Sequence, residues 1–139
     1  MATWQDVDAV ALALPQVELD QTAGSRGWLI AGKHLAWERP LRKKELATEL
    51  DAGRQPYLGD ILAFHLPDLQ AKEAYLQNFP NKFFEIPHFS GYRGILCRLS
   101  ELDIDDLQEL LFEAYLCKAP KKLVKQLLES RPDASNNKN

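Results

Sequence analysis

The run Trp28-Leu29-Ile30-Ala31-Gly32-Lys33-His34-Leu35-Ala36-Trp37 decides the fold class. Two largely apolar stretches flank Gly32-Lys33, which matches the Gly-X signature of a two-residue hairpin turn. That turn sets Ile30 opposite Leu35 and Trp28 opposite Trp37, so these four side chains share one face. Leu29, Ala31, His34 and Ala36 fall on the other. The tryptophan face is expected to be core rather than a platform for stacking nucleic-acid bases, because large aromatic side chains have the most apolar area to bury.

Upstream, Val17 to Thr22 alternates apolar and polar residues, as a half-buried strand does. Before it, Thr3 followed by Asp6 reads as a helix start of capping-box type. Val7, Val10, Ala11 and Leu14 then recur at helical spacing, and Pro15 closes the segment. Downstream of Pro40, Arg42 to Leu50 reads as a short helix with Leu46, Ala47 and Leu50 inward, ended by Gly53. Asp60 to Leu66 is a strand. Pro67 opens a helix with Leu69, Ala74, Tyr75 and Phe79 inward, and Pro80 stops it. Phe83 to Ile86 and Gly94 to Leu99 are two further strands around a loop.

Asp103 begins a helix whose first turn holds Asp105 and Asp106, where the N-terminal dipole favours acids. Its apolar stripe is Leu107, Leu110, Leu111, Ala114 and Tyr115. Pro120 starts a last helix with Leu123, Val124, Leu127 and Leu128 inward. Residues 131–139 are polar and are expected to form a disordered tail. Residues 1–130 therefore make one α+β domain, an antiparallel sheet of five to six short strands with helices packed against it. With 139 residues, 45% of them hydrophobic, the chain can bury a core without disulfide or metal staples. Cys97 and Cys117 have no paired spacing and are expected to be buried, reduced thiols. No apolar run approaches a membrane span, and Met1 to Asp6 lacks a basic region, so a monomeric cytoplasmic protein is expected.

The net charge of −3 conceals a segregated pattern. Residues 1–24 carry four acids and no base, residues 25–44 six bases and one acid. Residues 101–117 carry six acids and no base, and residues 118–139 six bases and two acids. Such blocks generate local potentials that the total does not reveal. Dinucleotide-binding, phosphate-loop and nucleophile-elbow motifs are all missing from the sequence. His34, His65 and His88 are far apart and lack partners at metal-ligand spacing. The sequence thus predicts a non-catalytic protein without metal or cofactor. His88 lies in Ile86-Pro87-His88-Phe89-Ser90-Gly91-Tyr92-Arg93-Gly94-Ile95, where proline and glycines impose particular backbone shapes. Such a loop can present a binding surface, or it can be a tight turn with Phe89 and Tyr92 packed inward.

Pro87-His88-Phe89-Ser90-Gly91-Tyr92-Arg93-Gly94-Ile95-Leu96-Cys97-Arg98-Leu99 resembles the signature of the MmcQ/YjbR family. The likeness continues through Leu102 to Leu110 and Ala119-Pro120-Lys121-Lys122-Leu123, and upstream in Gly32 to Trp37 and Phe83 to Pro87. Ser90 and Arg93 replace the Asp and Pro usual in the pattern, and Tyr115 stands where Trp is common. The resemblance implies a frataxin-like or double-wing α+β fold, a motif loop of Pro87, His88, Phe89, Gly91 and Tyr92, and DNA binding.

On that expectation phosphates meet Arg39, Arg42, Lys43 and Lys44 from one basic block. Lys118, Lys121, Lys122 and Lys125 serve from the other, and the tryptophan hairpin acts as a wing. The alternative is an interaction module of frataxin-like type. Asp105, Glu109 and Glu113, four residues apart on one helix face, would then recruit a basic protein or a divalent cation. An enzyme ranks last, because no nucleophile–base pair is visible.

Overall fold

The computed structural model of the chain describes residues 1–22 and 24–130. Thr3 opens helix α1 (Trp4–Leu12) with a full capping box: the Asp6 amide donates to Thr3 Oγ1 at 3.3 Å and the Thr3 amide donates to Asp6 Oδ2 at 2.9 Å. Strands β1 (Glu18–Asp20), β2 (Gly27–Ile30) and β3 (Lys33–Glu38) follow, then α2 (Lys43–Asp51), β4 (Ile61–His65) and α3 (Leu69–Asn78). Strands β5 (Phe83–Phe84) and β6 (Gly94–Arg98) flank a single 3₁₀ turn at Pro87–Phe89. Helices α4 (Ile104–Lys118) and α5 (Lys121–Ser130) complete the order, with a second capping box at Asp103 and Asp106. All six strands join one antiparallel sheet in the order β1-β2-β3-β4-β6-β5. The α+β architecture read from the sequence is the one observed. The expected tail at 131–139 lies outside the described residues.

The tryptophan hairpin departs from its expected register. Its turn is Ala31-Gly32, one residue earlier, with φ of 51° and 78°. Two positive φ values make the type I′ geometry that suits the twist of a hairpin. Ile30 pairs with Lys33 and Leu29 with His34, but Trp28 then pairs with Ala36, so Leu35 is an extra residue in a β-bulge. Leu35 and Ala36 are both fully buried on the same side, in the core that also holds Trp28 and Ile30. The bulge thereby reverses the alternation, and Trp37 emerges on the opposite face, packed against a second cluster.

On the first face, α1, α4 and α5 cover the main core, which includes the whole predicted stripe of α4. Trp28 is fully buried there, stacks on Trp4 at 6.1 Å and donates its indole N–H to Asp8 Oδ1 at 2.9 Å. Tyr115 is equally buried and donates its hydroxyl to the Pro15 carbonyl at 2.9 Å. The second face carries a smaller cluster of Ile61, Ala63, Ile86, Phe89 and Leu96, with Trp37, Leu41, Tyr57 and Phe84 packed around it.

Two helices are rotated from their expected phase. On α2, Ala47 and Leu50 face solvent, and Glu49 is buried where it meets Arg54 in an ion pair. On α3, Leu69, Ala74 and Phe79 are exposed, while Lys72 is buried and Tyr75 and Leu76 lie against the main core. In both helices a charged residue takes an inward position, Glu49 paired with nearby Arg54 and Lys72 with groups distant in sequence, which an apolar stripe cannot announce. Leu128 of α5 is also exposed, as is Cys117, although Cys97 is buried and both thiols are free. Among the described residues, no helix is long and apolar enough to cross a membrane.

Candidate functional site

The motif loop sits on the second face of the sheet. Pro87 starts the 3₁₀ turn, which the Ser90 amide closes on the Pro87 carbonyl at 3.0 Å. Gly91 then takes φ of 77°, a conformation strained for any side chain. The Tyr92 amide donates back to the Phe89 carbonyl at 3.0 Å, and the Phe89 ring is buried. Lys72 of α3, only 4% exposed, holds this turn from below. Its ammonium donates to the Phe89 carbonyl at 2.7 Å and the Tyr92 carbonyl at 2.6 Å, and it forms an ion pair with Glu85. Burying an ammonium is tolerable only with such satisfaction of its donors.

With Phe89 fixed, four rings line up across the open part of the sheet. The His34–Trp37 centroids are 6.0 Å apart, Trp37–His65 5.1 Å and His65–Tyr92 5.5 Å. Gly27 makes room for the first ring, since a Cβ there would come within 2.9 Å of His34 Nε2. Tyr92 Oη and His65 Nε2 share a hydrogen bond of 3.1 Å. The four rings enclose a shallow cavity of about 170 Å³. Burial, reinforced by the positive charges of Lys118, Arg93 and His34, lowers the His65 pKa to about 4, so its ring is neutral at physiological pH. Arg93 donates to the Pro67 carbonyl at 3.3 Å and otherwise stays exposed.

On the other side of Phe89, the first turn of α2 and the Ile86-Pro87-His88 segment form a groove of about 450 Å³. Arg42, Lys44, Thr48 and His88 line it. Arg39, expected to meet phosphate, is instead buried: its guanidinium grips Glu45 through two bonds of 2.9 and 2.7 Å and donates to the Pro40 carbonyl at 2.8 Å. It also lies over the Phe89 ring at 5.6 Å, so its charge is spent on packing, and it lowers the Glu45 pKa. Lys43 is exposed. Lys121, Lys122 and Lys125 are exposed on α5, which Leu123 and Leu127 seat against the first face. The two basic blocks thus serve opposite faces of the sheet. Of the second block, it is the charge of Lys118 that acts on His65.

The acidic face of α4 is partly engaged. Tyr75 donates its hydroxyl to Glu113 at 3.0 Å, while Asp105 and Glu109 remain exposed; Lys82 pairs at 3.0 Å with Asp106, which lies off that face. Among the described residues, no group of three or more His, Cys, Asp and Glu side chains could hold a metal ion. Sequence reasoning singled out the Pro87–Tyr92 loop but missed Lys72, Trp37 and His65 as parts of one surface. Their convergence depends on the bulge and on three separate segments, for which no local signal exists.

No family model matches the chain, and no solved structure matches it. It is similar to the uncharacterized protein Rv2570 of Mycobacterium tuberculosis and the uncharacterized protein Mb2600 of Mycobacterium bovis. Each is 41% identical over 128 residues, spanning 92% of this chain and 97% of the relative. The chain belongs to the same family as these mycobacterial proteins.

Proposed function

We propose that this member of the family binds nucleic acid without catalysing a reaction, through phosphate contacts on the second face of its sheet. What carries the proposal is a set of four cations about the Phe89 turn: Arg42 and Lys44 lining the groove, and Arg93 and Lys118, whose charges act on His65. The net charge of −3 does not oppose it, because a phosphate chain responds to the local potential within about one Debye length. The resemblance to the MmcQ/YjbR pattern, with its DNA-binding expectation, points the same way. The acidic face of α4 makes a weaker candidate, since Tyr75 already engages Glu113, one of its three carboxylates.

Phosphate contacts release counterions, so four of them would weaken binding roughly 100-fold between about 50 and 200 mM salt. Fluorescence anisotropy of a labelled DNA measures this directly. The double variants Arg42→Ala/Lys44→Ala and Arg93→Ala/Lys118→Ala should each flatten the log–log salt slope by about two. Absence of binding at about 50 mM salt, or an unchanged slope in both variants, would refute the proposal.

A further inference from the structure

We infer that the nucleic acid taken by this face is single-stranded, with unpaired bases stacking on the row formed by Trp37, His65 and Tyr92. This rests on the phosphate-binding reading and adds the form of the ligand to it. Stacking needs a base with a free π-face, which a closed duplex does not offer, and every base has one. The row supplies partly exposed partners: Tyr92 is 41% exposed, Trp37 and His65 are half-buried, and His34 at its end lies open.

Neighbouring rings tilt by 49° to 72°, so a base lying on one ring meets the edge of the next, the favoured arrangement for aromatic pairs. Duplex readers push a helix or a two-stranded ribbon into a major groove about 12 Å wide. Here the rings surround a shallow, open cavity of about 170 Å³ on the face of the sheet, and among the described residues no helix or ribbon projects from them to enter a groove. Arg93 and Lys118, whose charges act on His65, supply the other part of the single-strand pattern, cations that track the backbone beside a stacking surface. His65 adds no charge of its own at neutral pH, so it stacks as a neutral imidazole.

The hairpin bulge is what supplies the central ring of the row. Without it Trp37 would face the main core beside Trp28, and the second face would lose its central ring.

The test compares labelled oligo-dT with a blunt duplex of equal length in anisotropy titrations of the full chain. Tyr92→Ala and His34→Ala are the probing variants, since both side chains reach solvent; thermal unfolding checks that each variant keeps the fold. Single strand should bind at least tenfold tighter than duplex. Tyr92→Ala should lose roughly tenfold in oligo-dT affinity with the salt slope unchanged, because it removes stacking and no phosphate contact. Equal or tighter duplex binding, or wild-type affinity in both ring variants, overturns the inference and leaves the phosphate reading standing. Failure of both nucleic acids to bind removes both.

Discussion

Replacing Lys72 by methionine tests whether the motif turn is held by a buried ammonium. Methionine keeps an unbranched apolar stem, so no large cavity opens and the loss is chiefly polar. The bond to the Phe89 carbonyl, 2.7 Å long, is buried; the Tyr92 amide still donates to that carbonyl, so the loss is one hydrogen bond from a charged donor, about 1.5–3 kcal/mol. The Tyr92 carbonyl is only part-buried and Glu85 is 32% exposed in its side chain, so water can take over much of their share. Together these two add about 1 kcal/mol. The expected total is about 2–4 kcal/mol, or a fall in Tm of roughly 6–12 °C for a chain of this size. Thermal and urea unfolding followed by circular dichroism give the global value. Hydrogen exchange at the Ser90 and Tyr92 amides, which close the turn, shows whether the loss is local. A Lys72→Met variant within about 0.5 kcal/mol of the parent, with unchanged exchange in the turn, would refute the reasoning.

The bulge makes the two hairpin tryptophans unequal. Trp28→Ala should cost about 3–5 kcal/mol, because the ring is fully buried and its N–H is bonded to Asp8. Trp37→Ala should cost less than half as much by the same urea titration, and equal costs would support the unbulged register instead. His65 supplies a pH dependence. Its folded pKa of about 4 lies below the ordinary 6.5, so the unfolded chain takes up the proton first as pH falls. Stability that His65 leaves intact above pH 6.5 is therefore lost progressively between about 6.5 and 4. His65→Gln should flatten the stability profile across that window in urea unfolding at stepped pH, and an unaltered profile would contradict the assigned burial.

Much of the architecture was legible because its signals are local. Thr3 and Asp103 announce helix starts through side chains that reach amides three residues on, and the α4 stripe repeats at the helical period. The hairpin was legible as a hairpin but not in its register. Gly32 advertises the turn, yet whether Ala31 or Lys33 joins it depends on the cost of a positive φ at alanine against the packing it permits. Leu35 and Ala36 are both apolar, so the sequence offers no mark of the slip that turns both inward. Arg39 reads as a phosphate contact, and no local signal marks Lys72 for burial. Their burial depends on acceptors that only folding delivers, Glu45 for one and the turn carbonyls for the other.

By itself, then, the sequence determined the order and kind of the elements, the antiparallel α+β class, the main core of α4 and the special backbone of the Pro87–Tyr92 turn. Each of these follows from interactions within a few residues or from a periodic apolar pattern. The tertiary structure alone decided which face Trp37 occupies, which cations remain free, and that His34, Trp37, His65 and Tyr92 form one row. Those outcomes depend on strand register, and a one-residue shift exchanges the two faces of a strand while leaving its composition unchanged.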